Sequence, residues 1–199
     1  MKVTDAHWLD EATRDVIAGG SPLPVRRCLV IHFTYGAGAK SSIDYMRSKG
    51  LSAHLVIDRD GTIYQTRPFN VQCAHAGRSR WVDPNTGKKY TNLNAHSIGI
   101  EIANFGDGIA EHPNWTKLPF VRAKHRNGGP VQSWEAYPQA QLDSVFVSAK
   151  AICKRYNLDD VTGHDCIAPE RKNDPGPAFP MLELREFCGF TGLPQVHKA

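Results

Sequence analysis

At 199 residues, 41% hydrophobic and 22% charged, the chain is long enough to bury a substantial core and has an ordinary globular composition, so one domain over residues 1–199 is expected. A net charge of +4, from 24 basic and 20 acidic residues scattered without runs of like sign, offers neither a nucleic-acid arm nor a polybasic membrane segment. No stretch approaches the roughly 20 apolar residues of a membrane span, and "MKVTDAHWLDEATRDVIAGG" at the N-terminus lacks an apolar signal core, so a cytoplasmic protein without membrane insertion is expected.

"CLVIHF" (28–33) is an apolar, β-branched run that reads as a buried strand with His32 near its exit. "SSIDYMRSKG" (41–50) places Ile43 and Met46 at helical spacing behind Ser41 or Ser42 as a cap, with Gly50 as a stop. "AHLVIDRDGTIYQTR" (53–67) predicts a hairpin turning through Asp60 and Gly61, residues that tolerate positive φ. "SIGIEIA" (97–103) alternates, with Ile98, Ile100 and Ile102 on one face and Ser97, Gly99, Glu101 and Ala103 on the other. Residues 104–134, rich in Gly, Pro, Asn and charge, read as a long surface excursion. From about 138 to 156, Leu142, Val145, Phe146, Ala149, Ile152 and Cys153 form one helical stripe, and a closing helix at about 180–188 shows Met181, Leu184 and Phe187. Strands interleaved with helices predict a single α/β domain whose mixed central β-sheet is flanked by helices.

Five cysteines with wide spacing and no CxxC suit a reducing compartment better than a disulfide scaffold. Among nine histidines, most are expected to be ordinary hydrogen-bonding residues: His7, His112, His125 and His197 by their terminal or loop contexts, and His54 and His96 with no direct contact to a ligand. His32 interrupts an apolar strand, and His164 follows Val161-Thr162-Gly163, which resembles a second short strand. With Asp174 they make an N,N,O donor set of the kind that holds a catalytic metal and leaves a place for water. The two histidines lie far apart and lack a compact HExxH spacing, so spacing alone leaves metal binding and ordinary hydrogen bonding both open. Glu101 shares its face with small residues. It is either a carboxylate over a cleft, able to take a proton from water, or part of the solvated face of an edge strand. Lys172 is either an oxyanion-stabilising cation or a surface lysine. Pro169, Pro175 and Pro177 stiffen the segment around Asp174 without a helix.

Taken together, "VIHFTYG", "LSAHLVIDRDGTIYQTRPFNVQCAHAGRS", "HSIGIEIANFG" and above all "TGHDCIAPERKNDPGPAF" resemble the zinc-dependent N-acetylmuramoyl-L-alanine amidases of the type-2 family. That family includes AmpD-like cytoplasmic muropeptide amidases, phage amidases and the animal peptidoglycan recognition proteins. The resemblance runs from about residue 28 to 188 and implies the peptidoglycan recognition protein/amidase-like fold. It also implies a Zn2+ cofactor on His32, His164 and Asp174, with Glu101 as general base and Lys172 assisting at the carbonyl. The implied substrate is peptidoglycan or a muropeptide. His75, Ala76, Gly77 and Arg78 are expected to line the groove, and Arg78 either pairs with a stem-peptide carboxylate or makes a structural ion pair. Ala53 stands where some phage relatives carry a catalytic tyrosine, so the proton work falls to Glu101, and Cys166 is expected to be a nearby thiol and not a ligand. Ala74 replaces a tryptophan frequent before "HAG", and the 104–134 segment is longer than in compact relatives. Both leave open whether the substrate is polymeric wall or a soluble muropeptide. Two other functions stay open: a binding module that does not cut, and a zinc peptidase acting within the stem. A recycling enzyme and a phage-type lysin are equally compatible with the sequence, which sets no oligomeric state.

Overall fold

The computed structural model describes residues 1–197, so the last two residues of the expected 1–199 domain lie outside the described residues. An edge strand β1 (Thr13–Arg14) precedes β2 (Cys28–Phe33), helix α1 (Ala39–Lys49) and the hairpin β3 (Leu55–Ile57) and β4 (Ile63–Gln65). A small ribbon, β5 (Arg80–Val82) and β6 (Lys89–Thr91), leads to β7 (Ser97–Ile102), then a second ribbon, β8 (Phe120–Lys124) and β9 (Val131–Glu135). Helix α2 (Gln139–Tyr156), β10 (Asp160–Gly163), the one-turn α3 (His164–Ile167) and α4 (Met181–Cys188) complete the chain.

The central sheet runs β1-β4-β3-β7-β2-β10. Only β3 and β4 pair antiparallel; the other pairs are parallel, which makes the sheet mixed as expected. Parallel strands covered on both faces need apolar side chains on both, and this is why "CLVIHF" shows no polar alternation. On one face Leu29, Ile31, Ile98, Ile100 and Ile102 pack against Val145, Ala149 and Ile152 of α2 and Leu184 of α4. On the other, Val56 meets Ala39, Ile43 and Met46 of α1, while Cys28 and Val30 meet Trp81, Leu93 and Ile167. His32 therefore shares its face with Cys28 and Val30, one residue beyond the apolar cover.

Several expectations change in detail. Helix α1 begins at Ala39, and Ser41 and Ser42 are not caps: both hydroxyls donate back to the Gly38 carbonyl from within the first turn. The stop at Gly50 is as read, with φ 68°. In the hairpin only Gly61 takes positive φ, while Asp60 accepts from the Thr62 amide. Residues 104–134 are largely exposed but not featureless. They form the β8–β9 ribbon, whose base is buried through Ser133 and Trp134. The strands there are too short, and their flanks too rich in turn residues, for local pattern to reveal them. Phe187 is not a core residue; it is 42% exposed and lies under the Lys150 ammonium and beside Phe146. No helix among the described residues is long and apolar enough to cross a membrane.

Candidate active site

Strand register assembles the site. His32 of β2 is the cross-strand partner of Glu101 of β7, so the two residues project from the same face of neighbouring strands. On the other side of β2, Gly163 pairs with Ile31, so His164, the first residue of α3, emerges beside His32. Asp174 arrives on the loop between α3 and α4. Nδ1 of His32 lies 2.9 Å from Nδ1 of His164, and each lies 3.0 Å from Oδ2 of Asp174. Among the described residues this is the one group of three or more metal-ligating side chains whose donor atoms lie within 4.8 Å of one another.

The hydrogen-bond network assigns the protons on both rings. His164 Nε2 lies 3.1 Å from the Ala76 carbonyl, which only accepts, and 3.4 Å from Arg171 Nη2, which only donates; the shorter contact puts the proton on Nε2 and leaves Nδ1 bare. His32 Nε2 faces His75 Nδ1 at 2.9 Å. His75 Nε2 in turn lies 3.3 Å from the Ser97 hydroxyl, whose own proton goes to the Leu93 carbonyl at 2.5 Å. Ser97 thus accepts from His75 Nε2, His75 Nδ1 accepts from His32 Nε2, and His32 Nδ1 is left bare. Two bare nitrogens and a carboxylate oxygen then face one another as three acceptors, a donor set that could hold a metal ion. Burial, reinforced by neighbouring His164, pushes His32 down to about 4, so its ring is neutral.

The Asp174 loop is held at four places in lieu of helical hydrogen bonds. The Asp165 amide donates to the Asp174 carbonyl at 2.8 Å and the Tyr137 hydroxyl to the Pro175 carbonyl at 2.8 Å. Gly176 lies so close to Trp134 that a Cβ would stand 2.6 Å from the indole, and the Asn173 amide reaches the Tyr35 hydroxyl at 2.9 Å.

Glu101 lies on β7 between β3 and β2, so it is on an interior strand and not on a solvated edge. Its face is also less open than the small residues Ser97 and Gly99 suggested, because the His75 ring fills it. A Cβ on Gly99 would stand 2.6 Å from His75 Cγ. Oε2 of Glu101 is buried without a hydrogen-bond partner among the described residues. Burial and the Asp174 charge push its carboxyl well above the usual range, with Lys172 pulling it back. A cleft of about 610 Å³ brings Glu101, Lys172 and the donor triangle together, walled by Tyr35, Tyr45, Met46 and Leu51.

The groove residues separate. His75 borders the cleft, yet its two nitrogens serve His32 and Ser97. Ala76 does not line the groove: it is fully buried, and its carbonyl serves His164 and Arg171 because the chain turns inward there. Gly77 is on the cleft wall, and Arg78 faces an adjoining depression that shares Gly77 and Arg171 with the cleft. Cys166 is outside the triangle, and its sulfur accepts from Arg126 at 3.0 Å. Three participants carried no signal in the sequence: Asn94, whose Oδ1 accepts from the His75 and Ala76 amides; Arg171, which binds the Ala76 and Arg78 carbonyls; and Tyr35.

Fold and site define an α/β protein with a possible metal-ligand triad beside a glutamate whose Oε2 is buried without a hydrogen-bond partner among the described residues. The chain belongs to the N-acetylmuramoyl-L-alanine amidase family Amidase_2, whose profile matches residues 21–177. It is similar to the N-acetylmuramoyl-L-alanine amidase AmiD of Escherichia coli (strain K12), 31% identical over 172 residues, which is 82% of this chain and 53% of that protein. It is also similar to the 1,6-anhydro-N-acetylmuramyl-L-alanine amidase AmpD of Enterobacter cloacae, 34% identical over 131 residues, 65% of this chain and 52% of that protein. The chain thus spans about half the length of these curated relatives. The structure of E. coli AmiD with its substrate anhydro-N-acetylmuramic acid-L-Ala-D-gamma-Glu-L-Lys superposes with a TM-score of 0.65 at 29% identity, covering 88% of this chain and 62% of that one. A selenomethionine AmpD structure does so with 0.63 at 26%, covering 92% and 97%.

Proposed function

We propose that the protein is a zinc-dependent N-acetylmuramoyl-L-alanine amidase. On this reading it hydrolyses the amide between the lactyl group of N-acetylmuramic acid and the L-alanine of the peptidoglycan stem. The observation that carries the reading is the acceptor triangle of His32, His164 and Asp174 set beside Glu101, whose Oε2 is buried without a partner among the described residues. Zinc bonded at about 2.0–2.2 Å spans tetrahedral donors about 3.3–3.6 Å apart, a few tenths of an ångström wider than the triangle, and N,N,O is a donor set that zinc takes. Family membership and the names of the relatives support the amidase reaction, and the anhydromuropeptide bound to AmiD supports a muropeptide as substrate. The reading places the enzyme in the cytoplasm, in muropeptide recycling.

His32 Nδ1, His164 Nδ1 and Asp174 Oδ2 would hold the ion, which would supply a water acidified to about pKa 7 and a Lewis acid for the carbonyl. Glu101 takes the proton of the attacking water and returns it to the departing amine of L-alanine. Its environment suits both halves, since burial favours the protonated form while Lys172 favours the ionised one. Lys172 Nζ donates to the oxygen on which charge develops. Gly77 leaves room for the stem peptide along the cleft, and Arg78, in the adjoining depression, takes its carboxylate bidentately.

The test is digestion of purified peptidoglycan and of anhydromuropeptides by wild type, Glu101→Ala and His164→Ala under zinc-replete conditions, with identification of the new termini. New L-alanine amino ends from the wild type alone are expected. New ends within the stem would assign a peptidase instead, and binding without any release would assign a recognition module.

A further inference from the structure

Tyr35 is the one residue on the cleft wall that combines a strained backbone with a bridging side chain. Its φ of 53° is in the left-handed region, where a bulky side chain costs about 1–2 kcal/mol and persists only when the surroundings enforce it. The surroundings are explicit. The hydroxyl donates to Asp107 Oδ1 at 2.5 Å and accepts from Asn173 Nδ2 at 2.9 Å. Its ring stands edge-on to Phe33 and lies against Gly106, where a Cβ would be 2.7 Å from the Tyr35 ring and 2.8 Å from that of Phe33. Asp107 is itself bridged through its backbone to Trp134 of β9, and the Trp134 indole lies on Gly176. The contacts therefore close a circuit from Tyr35 to Asn173, along the loop to Gly176, across to Trp134, back to Asp107 and so to Tyr35. Asp174 lies inside that circuit and Lys172 immediately outside it.

We infer that Tyr35 is a positioning residue: its hydroxyl locks the 104–134 excursion onto the loop of Lys172 and Asp174 and holds both at the donor triangle. Tyr35 makes no bond to the triangle, so it acts through Asn173. The inference takes the metal site from the proposed function, and its effect on turnover also takes the amidase reaction.

The test uses the full chain loaded with zinc and compares wild type, Tyr35→Phe, Asn173→Ala and the double variant. Each single variant is expected to release zinc to excess chelator about tenfold faster and to lower kcat on an anhydromuropeptide about tenfold with KM within about twofold. The double variant is expected to be no worse than either single one, since the two groups act as one link. Zinc release by Tyr35→Phe within about twofold of wild type overturns the inference. So does a rise in KM alone, which would make Tyr35 a substrate contact, or a lower melting temperature alone, which would make it a packing residue. If wild type cuts no muropeptide, the amidase reading falls while zinc release still decides the role of Tyr35.

Discussion

Replacing His75 with phenylalanine removes one acceptor from a chain of three hydrogen bonds and leaves the shape nearly intact. The aromatic ring still covers Gly99, but His32 Nε2–H, on a residue only 1% exposed, loses its partner at 2.9 Å. An unsatisfied buried donor costs about 1–3 kcal/mol, and at about 1.4 kcal/mol per decade that corresponds to roughly 5- to 150-fold in zinc affinity. The ring of His32 escapes part of this cost by turning or by changing tautomer, and either escape takes the bare Nδ1 away from the triangle. Competition with a chromophoric chelator at a fixed neutral pH measures the affinity, with circular dichroism as a check on folding. His75→Asn, whose amide oxygen stands near the place of Nδ1, is expected to restore affinity to within a fewfold of wild type. Gly99→Ala is expected to match the phenylalanine variant, because its Cβ and the His75 ring contend for one space. Zinc binding by His75→Phe within twofold of wild type would refute the assignment of the His32 tautomer, as would equal losses in the asparagine and phenylalanine variants.

Glu101→Gln is expected to keep zinc and lose on the order of 10² to 10⁴ in kcat, with steady-state kinetics and metal content as the check. Because the Glu101 carboxyl is raised in the fold, the unfolded chain gives up that proton first as pH rises, so stability falls above the ordinary carboxyl range. In metal-free protein the advantage of Glu101→Gln in melting temperature should accordingly widen from mildly acidic to mildly alkaline pH, and a constant difference would contradict the raised carboxyl. His54, pushed down to about 3 by burial, stays neutral in the fold while the unfolded chain protonates below about 6.5, so acidification through that window destabilises the protein. Denaturant titrations of metal-free protein should show this histidine contributing a loss of about 1.4 kcal/mol per pH unit, and a flat profile in that range would be inconsistent. Arg59 pairs at 2.9 Å with Glu135, whose side chain is fully buried. Arg59→Met, which leaves that carboxylate only the Phe105 amide at 2.6 Å, should cost about 3–5 kcal/mol in urea unfolding, and a loss under about 1 kcal/mol would show that the pair is not what holds Glu135.

The parallel core was legible because its strands are apolar on both faces, and α2 because its stripe runs unbroken from Leu142 to Cys153. The donor residues stood out by chemical incongruity: His32 inside "LVIHF", and Asp174 among prolines. The roles of their neighbours were not legible, since they depend on contacts between distant segments. His75 reads as a groove residue in "AHAG", yet its partners are His32 and Ser97, brought to it by the sheet. Gly99 reads as empty space over the strand and is in fact the seat of that ring. His125 reads as an ordinary loop histidine, and only the docked ribbon shows it against Asp165 at 3.2 Å. Tyr35 is one aromatic in a turn until Asp107 and Asn173 meet it.

The triangle joins residues 132 positions apart, His32 on β2 and His164 just after β10, which meet only when β10 has settled against β2. Closing so long a loop is among the costly events in assembling a sheet of parallel strands. Before that pairing forms, the chain can offer an incoming ion His164 and Asp174, ten positions apart, but not the third donor, His32. On the proposed zinc reading, binding by all three ligands therefore waits until the last strand is home. A zinc-sensitive dye added during refolding would time the completion of the sheet, and a chain arrested before that step would pass through a zinc-poor cell without competing for the metal.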